Sequence, residues 1–299
     1  MKNASKFITL PLLLSLCFIL FGCGRGGSGS ETDTATGPET SDKSPPQSSS
    51  IGSLINDMYN NKETEAPQES VGDTGTDTDS GDAPDSDQPN DVRLPTTLDM
   101  GSDYAERILF ICDHTVYGLK ALGMLTDGQK TDQVVTGAGA SFFVMSPAPT
   151  VYSAADNETV PLADYLSERK PEYILLAVGG ADIAQKSKPK YDEFLTAYAS
   201  LIETVTESSP DSVVICMSIL PGSEESGISV YDAEQYNAHI LSAAASAESD
   251  RVYYLDAASA FAASDGYLRD DCDGGSSRLS TTGLKRLLDV VRTHYVSSE

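Results

Sequence analysis

Between residues 104 and 299, short stretches of uninterrupted apolar residues alternate with segments whose apolar residues fall at helical spacing. The apolar stretches lie at 107–112, 173–178, 213–219 and 252–255. A strand without polar residues must be covered on both faces, so helices are needed above and below its sheet. Because right-handed crossovers leave few other topologies, this order predicts an α/β fold: a three-layer, doubly wound, flavodoxin-like domain with a parallel sheet of about five strands.

The same pattern predicts the helices. One helix carries an apolar face from Phe194 to Val205 and ends before Pro210, because proline is poorly tolerated inside a helix. Three further helices and one short strand are predicted at 116–125, 236–247, 282–295 and 133–136 respectively. Residues 146–160 fit neither a simple strand nor a helix, and we expect an excursion there, for which a hairpin over the site is one form.

The candidate functional residues are deduced from this fold, because open parallel sheets bind ligands at the carboxyl ends of their strands. Asp113 and His114 come directly after the first strand. Residues 137–139 come after the second strand, and residues 179–182 after the third. The loops after the last two apolar stretches complete the predicted rim.

At this rim the sequence resembles the SGNH/GDSL hydrolase family, over residues 107–295. The family's first motif, Gly-Asp-Ser-x-x-x-Gly after a strand, is matched by residues 112–118, Cys-Asp-His-Thr-Val-Tyr-Gly. Its second motif contributes a glycine, matched by Gly139. Its Gly-x-Asn-Asp motif is matched by residues 179–182, Gly-Gly-Ala-Asp, and its final Asp-x-x-His-Leu motif by residues 275–279, Gly-Ser-Ser-Arg-Leu. Frequent residues of bacterial members are also present: Pro221, Tyr236 and Asn237.

The departures from the family pattern fall at the positions that carry its chemistry. In the family, a serine attacks an ester carbonyl, a histidine accepts the proton, an aspartate orients the histidine, and a glycine amide and an asparagine stabilise the oxyanion. The positions of the serine, histidine, aspartate and asparagine are here occupied by His114, Arg278, Gly275 and Ala181. Of these groups only the glycine, Gly139, remains. Arginine stays protonated at physiological pH and is no base, and losing a nucleophile or its base lowers turnover by about 10⁴- to 10⁶-fold.

We therefore expect no serine hydrolysis from intact motifs, and a domain that binds a glycan, a peptidoglycan fragment or a protein. The candidate binding residues are Asp113, His114, Gly139, Asp182 and Arg278. One alternative is an active carbohydrate esterase, deacetylase or lipase-type hydrolase with non-standard residues, including a displaced acid at position 273. Another is a passive spacer with a closed cleft. The arginine could bind a carboxylate or an acidic sugar, or could pair with the aspartates at 271 and 273.

Charge and motif spacing exclude several other classes of partner. Residues 104–299 contain 28 acidic and 14 basic residues, and a negative domain repels phosphate backbones, so nucleic acid is not an expected partner. The chain has three histidines without a metal-ligand spacing, and its glycine pairs complete no phosphate-binding motif. We expect neither a metal nor another cofactor.

Three cysteines of the domain have different expected roles. Cys216 lies within an apolar stretch and is predicted to be a core residue. Cys112 and Cys272 lie in regions that converge at the mouth of this fold, so a disulfide between them is one hypothesis and two free thiols the simpler one.

The N-terminus predicts export. Two lysines precede an apolar run that ends in Leu-Phe-Gly-Cys, which resembles the lipobox of bacterial lipoproteins with Cys23 as the lipidated residue. Residues 1–22 are then the signal peptide, and residues 23–103 form a disordered acidic tether with 17 acidic and 4 basic residues after Cys23. The domain at 104–299 would be held at the cell surface, anchored by lipid to the outer face of the bacterial cytoplasmic membrane.

Overall fold

The computed structural model describes residues 91–154 and 157–298. The predicted signal peptide, Cys23 and most of the predicted tether lie outside the described residues, so those interpretations stay predictions. Among the described residues, no helix has both the length and the apolar character needed to cross a membrane.

The described chain contains seven strands and eight α-helices. The strands are β1 (Ile108–Cys112), β2 (Val134–Val135), β3 (Thr150–Ser153), β4 (Glu158–Pro161), β5 (Tyr173–Ala177), β6 (Val213–Met217) and β7 (Val252–Leu255). The helices are α1 (Gly101–Ala105), α2 (Gly118–Ala121), α3 (Leu162–Arg169), α4 (Gly180–Ile183), α5 (Tyr191–Ser208), α6 (Val230–Ala245), α7 (Ala258–Phe261) and α8 (Thr281–Arg292).

Five strands form one parallel sheet in the order β2-β1-β5-β6-β7. The predicted three-layer, doubly wound fold is therefore confirmed. The strand order reverses between β1 and β5, because the chain first moves outward to β2 and then returns past β1. Such a switch point opens a crevice at the carboxyl ends of the two strands, where sheets of this type bind ligands.

The side chains of each strand alternate between two cores. On β1, Phe110 faces the core covered by α1, α2, α7 and α8, whereas Ile111 faces the core covered by α3, α4, α5 and α6. The neighbours of these residues on β5, Leu175 and Leu176, divide in the same way. Burial of each such side chain contributes about 1.5–3 kcal/mol, so the uninterrupted apolar strands are the main source of stability.

Several element boundaries differ from the predicted ones for local reasons. The predicted helix at 116–125 is reduced to α2, because Gly123 adopts a left-handed backbone with φ of 64°. Helix α6 begins at Val230 rather than at residue 236, because the Ser229 side chain caps it by accepting a hydrogen bond from the Asp232 amide at 3.0 Å. Helix α3 has no counterpart among the predicted elements.

The excursion after β2 contains a two-stranded antiparallel hairpin formed by β3 and β4. Its first strand lies beside the residue that follows β2, since the Tyr152 amide donates to the Thr136 carbonyl at 2.9 Å. The predicted excursion is therefore a hairpin, which is one of the forms expected for it.

Residues 92–100, the N-terminal strap, pack on the domain, although the predicted tether extends to residue 103. The Leu94 amide donates to the Tyr254 carbonyl at 2.9 Å, and the Tyr254 amide donates to the Val92 carbonyl at 2.7 Å. The strap thereby covers the exposed edge of β7, while Asp99 forms an ion pair with Arg292 at the end of α8. The folded domain accordingly includes residues N-terminal to the predicted boundary at 104.

Candidate functional site

The site is built around Asp113, which comes directly after β1 at the switch point. Its side chain is buried, and its two carboxylate oxygens accept hydrogen bonds from the Thr115 amide at 2.9 Å and the Ala181 amide at 3.0 Å. These bonds join the loop after β1 to the first turn of α4. Asp113 therefore holds the rim together, and its oxygens are already bound by the backbone.

Gly180 allows this close approach. A Cβ atom at position 180 would lie 2.9 Å from the Asp113 Oδ2 atom, which is closer than such contacts normally permit. The preceding residue, Gly179, has φ of 109°, a backbone conformation that residues other than glycine rarely adopt. The two glycines after β5 are thus explained by packing and turn geometry at the rim.

Asp182 is a second buried acid of the rim, and it fixes the loop after β2. Its oxygens accept hydrogen bonds from the Val144 amide at 3.0 Å and the Met145 amide at 3.1 Å. Burial, together with the nearby negative charge of Asp113, raises the pKa of Asp182 to about 6, even though the two amides favour the ionised form. The carboxylate of Asp182 therefore holds the loop after β2 in position at the rim.

The last motif forms a tight hairpin that lies against the first. The Gly274 amide donates to the Arg278 carbonyl at 2.8 Å, and the Arg278 Nε atom donates to the Gly275 carbonyl at 3.3 Å. Next to this turn, the Leu279 amide donates to the Thr115 carbonyl at 3.2 Å. The first and last motifs of the resemblance are therefore brought together, as their order in the chain predicted.

A narrow pocket lies at the carboxyl ends of β1, β5 and β6. Its volume is about 30 Å³, which is room for about one water molecule. Asp113 and Arg278 both line it, together with the hydroxyl residues Thr115, Ser218 and Ser277. Only a small group can enter this pocket, so a larger ligand would have to rest on its rim.

The other predicted site residues lie around this pocket rather than in its lining. Ala181 is buried and takes part through its amide, and Gly275 belongs to the turn that carries Arg278. Gly139 is exposed, with φ of 70°, in the loop after β2. His114 is half-buried beside Asp113. The pocket lining includes none of these four residues.

The other two histidines lie in α6 and just after α8, outside the pocket lining. The Nδ1 atom of His239, in α6, donates to the Gln235 carbonyl at 2.7 Å, and its ring stacks on Tyr191. The Nδ1 atom of His294, after α8, donates to the Val290 carbonyl at 2.7 Å. All three histidines of the chain are thus described, and none of them lines the pocket.

Asn237 positions the rim, a role that its place in the sequence did not indicate. Its side-chain oxygen accepts a hydrogen bond from the Ile219 amide at 2.6 Å, and its side-chain nitrogen donates to the Ile219 carbonyl at 2.9 Å. This pair of bonds fixes the loop after β6, which forms one wall of the pocket. The neighbouring Tyr236 hydroxyl donates to the Pro189 carbonyl and ties α6 to the segment before α5.

The three cysteines of the domain and the possible metal ligands were the remaining groups to place. Cys112, Cys216 and Cys272 are buried free thiols, so the structure contains no disulfide between the first and last of them. Cys216 is a core residue as predicted, and burial raises the pKa of its thiol to about 12. Within residues 91–154 and 157–298, no group of three or more His, Cys, Asp and Glu residues is arranged to hold a metal ion.

Among known proteins, the chain is similar to a solved structure but to no family model. No protein-family model matches the chain, and no curated protein matches it. The chain is similar to a structure described as "a putative platelet activating factor from Streptococcus pneumonia", with 19% sequence identity and a TM-score of 0.45. The match covers 62% of this chain and 82% of that chain. We draw no conclusion about function from this similarity.

Proposed function

We propose that this chain is a lipid-anchored surface protein whose SGNH/GDSL-like domain binds a glycan, a peptidoglycan fragment or a protein without hydrolysing it. The observation that carries the proposal is the composition of the narrow pocket at the switch point. It contains hydroxyl groups and carboxylates, but no histidine lines it. A hydroxyl needs an adjacent base to become a nucleophile at neutral pH.

The groups that remain at the rim support binding better than catalysis. Asp113 and Asp182 each have both oxygens bound by backbone amides, which suits them to hold loops in place. Arg278 is a permanent cation beside the pocket, and its planar guanidinium fits carboxylate groups. A ligand that inserts a small group and places a larger, anionic part on the rim would use both features.

The experiment is a thermal titration of the purified chain. Muramidase-released peptidoglycan fragments and a tetramer of N-acetylglucosamine serve as separate ligands. A ligand at one hundred times its Kd adds about 2.7 kcal/mol to the free energy of unfolding, which raises the midpoint temperature by several degrees.

The Arg278→Ala variant tests whether stabilisation arises at this rim. We expect the variant to lose most of the ligand-induced rise, whereas Lys285→Ala, which removes an exposed cation from α8, should keep it. If no ligand stabilises the chain, or if both variants respond equally, the proposed binding at this rim is incorrect.

A further inference from the structure

A groove separate from the narrow pocket runs along the start of α5. Its two adjoining parts have volumes of about 570 Å³ and 420 Å³, which fall within the range of sites that hold ligands. One wall is the loop at 143–149, and the other walls are α5 and the segment at 185–189. We call it the α5 groove. None of its residues lines the narrow pocket, although Asp182, which lines the groove, also holds the loop after β2 at the rim.

The loop wall presents apolar side chains to solvent in a fixed arrangement. Phe143 and Met145 are 38% and 37% exposed, whereas the alternating residues Phe142 and Val144 are buried in the core. The Val144 and Met145 amides are held by the Asp182 carboxylate. The backbone that carries Phe143 and Met145 is therefore held in place. A partner that binds these two side chains loses little conformational entropy in ordering the loop.

The polar groups of the α5 groove are mainly hydrogen-bond acceptors. Asp192 and Glu193 line it with carboxylates, and Glu193 forms a solvent-exposed ion pair with Lys190 at 2.8 Å. The Thr196 and Thr204 hydroxyls donate to the carbonyls four residues earlier, at 2.8 Å and 2.9 Å, so their oxygens are left to accept. The one lysine in the lining, Lys188, is paired with an aspartate of α6. The groove thus matches a ligand with donors and positive charge.

We propose that the α5 groove binds a segment of a partner protein that presents apolar side chains next to lysine or arginine. Charge complementarity selects this occupant over the two others that the chain itself could supply. Residues 24–91 carry 15 acidic and 3 basic residues, and the whole chain has a net charge of −25, so this part of the N-terminal segment and a second copy would both be repelled.

The experiment measures fluorescence anisotropy of labelled hexapeptides added to the purified chain. The cationic probe is Leu-Lys-Leu-Leu-Lys-Leu, and its matched counterpart, Leu-Glu-Leu-Leu-Glu-Leu, carries the opposite charge on the same apolar residues. We expect the cationic probe to bind more tightly by at least about tenfold, and its affinity to fall between about 50 mM and about 300 mM salt because exposed charges are screened.

Variants locate the binding. Met145→Ser and the double variant Asp192→Asn, Glu193→Gln should each weaken binding by about three- to tenfold, as expected for loss of one apolar contact or of exposed charges. Leu98→Ser and Glu248→Gln change an exposed apolar residue and an exposed acid elsewhere and should leave the affinity unchanged. Circular dichroism of each variant confirms that it is folded.

Four outcomes would overturn the proposal. They are equal binding of both probes, binding that is unaffected by the groove variants, no binding of the cationic probe at about 1 mM, and tighter binding of a peptide with the sequence of residues 51–59. Residues 51–59, Ile-Gly-Ser-Leu-Ile-Asn-Asp-Met-Tyr, are a short apolar stretch of the N-terminal segment, so the last outcome would assign the α5 groove to this stretch. A thermal response to glycan that is lost in Arg278→Ala would be independent of all four.

Discussion

At the scale of single residues, Asp182 links the stability of the rim to pH. Its pKa is raised from the ordinary 3.8 to about 6, so between about pH 4 and pH 6 the folded chain binds more protons at this group than the unfolded chain does. The contribution of Asp182 to the free energy of unfolding is therefore greatest in acid and decreases as the pH rises through 6. The full change corresponds to about 3 kcal/mol.

This dependence is measured by comparing urea unfolding of the natural chain and of Asp182→Asn from pH 4.5 to 7.5. Asparagine does not titrate, so other groups, including Asp232 with its lowered pKa, cancel in the difference. We expect the natural chain to gain stability relative to the variant as the pH falls. A difference that is constant, or that grows with rising pH, would mean that Asp182 is not desolvated as the structure indicates.

Asn237 is predicted to stabilise the fold through its two hydrogen bonds to Ile219. Asn237→Ala would leave a buried amide and a buried carbonyl without a partner, which costs about 2 kcal/mol or more. Glu234→Ala, at an exposed position of the same helix, should change the free energy of unfolding by less than about 0.5 kcal/mol. Chemical denaturation of both variants decides the matter, and equal losses would contradict the assigned role.

At the scale of elements, the N-terminal strap is expected to protect the edge of β7. Leu94 is the buried anchor of the strap, whereas Leu98 is 86% exposed. Leu94→Ala removes apolar burial from a short segment, so the strap should open more often, and the Tyr254 amide that donates to Val92 should exchange its hydrogen faster. Leu98→Ala is the matched control.

Hydrogen exchange of the Tyr254 amide gives the readout. Faster exchange in Leu94→Ala alone is the expected result. Unchanged exchange in that variant would show that the strap does not control access to the β7 edge. Covering this edge is useful, because an unpaired edge strand is a template for association with other chains.

At the scale of the whole molecule, the sheet could be predicted because its strands are apolar throughout. Residues such as Ile111 and Leu176 are fully buried, and right-handed crossovers leave few topologies for strands of this kind. The short elements were harder to predict from the sequence, because α3, for example, has only two buried residues, Leu162 and Leu166. The strap was missed because its contacts depend on the distant residues Tyr254 and Arg292.

The candidate site could be predicted in location but not in detail. The end of the first strand indicated Asp113 and the family resemblance indicated Arg278, and both line the pocket. No sequence pattern indicated that the Ala181 amide binds Asp113 or that the Val144 and Met145 amides bind Asp182, since these partners are 68, 38 and 37 residues apart. The pocket's small volume likewise depends on how the loops close, which residue types alone do not determine.

The predicted anchor is also a property of the whole chain. If Cys23 carries the lipid, Cys23→Ser should move the exported protein from the membrane fraction to the soluble fraction, because the lipid supplies the membrane affinity. Fractionation of cells that produce each form, with detection by an antibody to the domain, gives the answer. Equal membrane association of both forms would contradict lipidation at this residue.

The central proposal is that the domain binds a ligand at this rim without hydrolysing it. The most direct measurement is the initial rate of hydrolysis of 4-nitrophenyl acetate by the purified chain and by its His114→Ala and His239→Ala variants. We predict that all three rates equal the rate in buffer, because no histidine lines the pocket beside its hydroxyl groups. Turnover by the natural chain that is lost in His114→Ala and kept in His239→Ala would contradict the account.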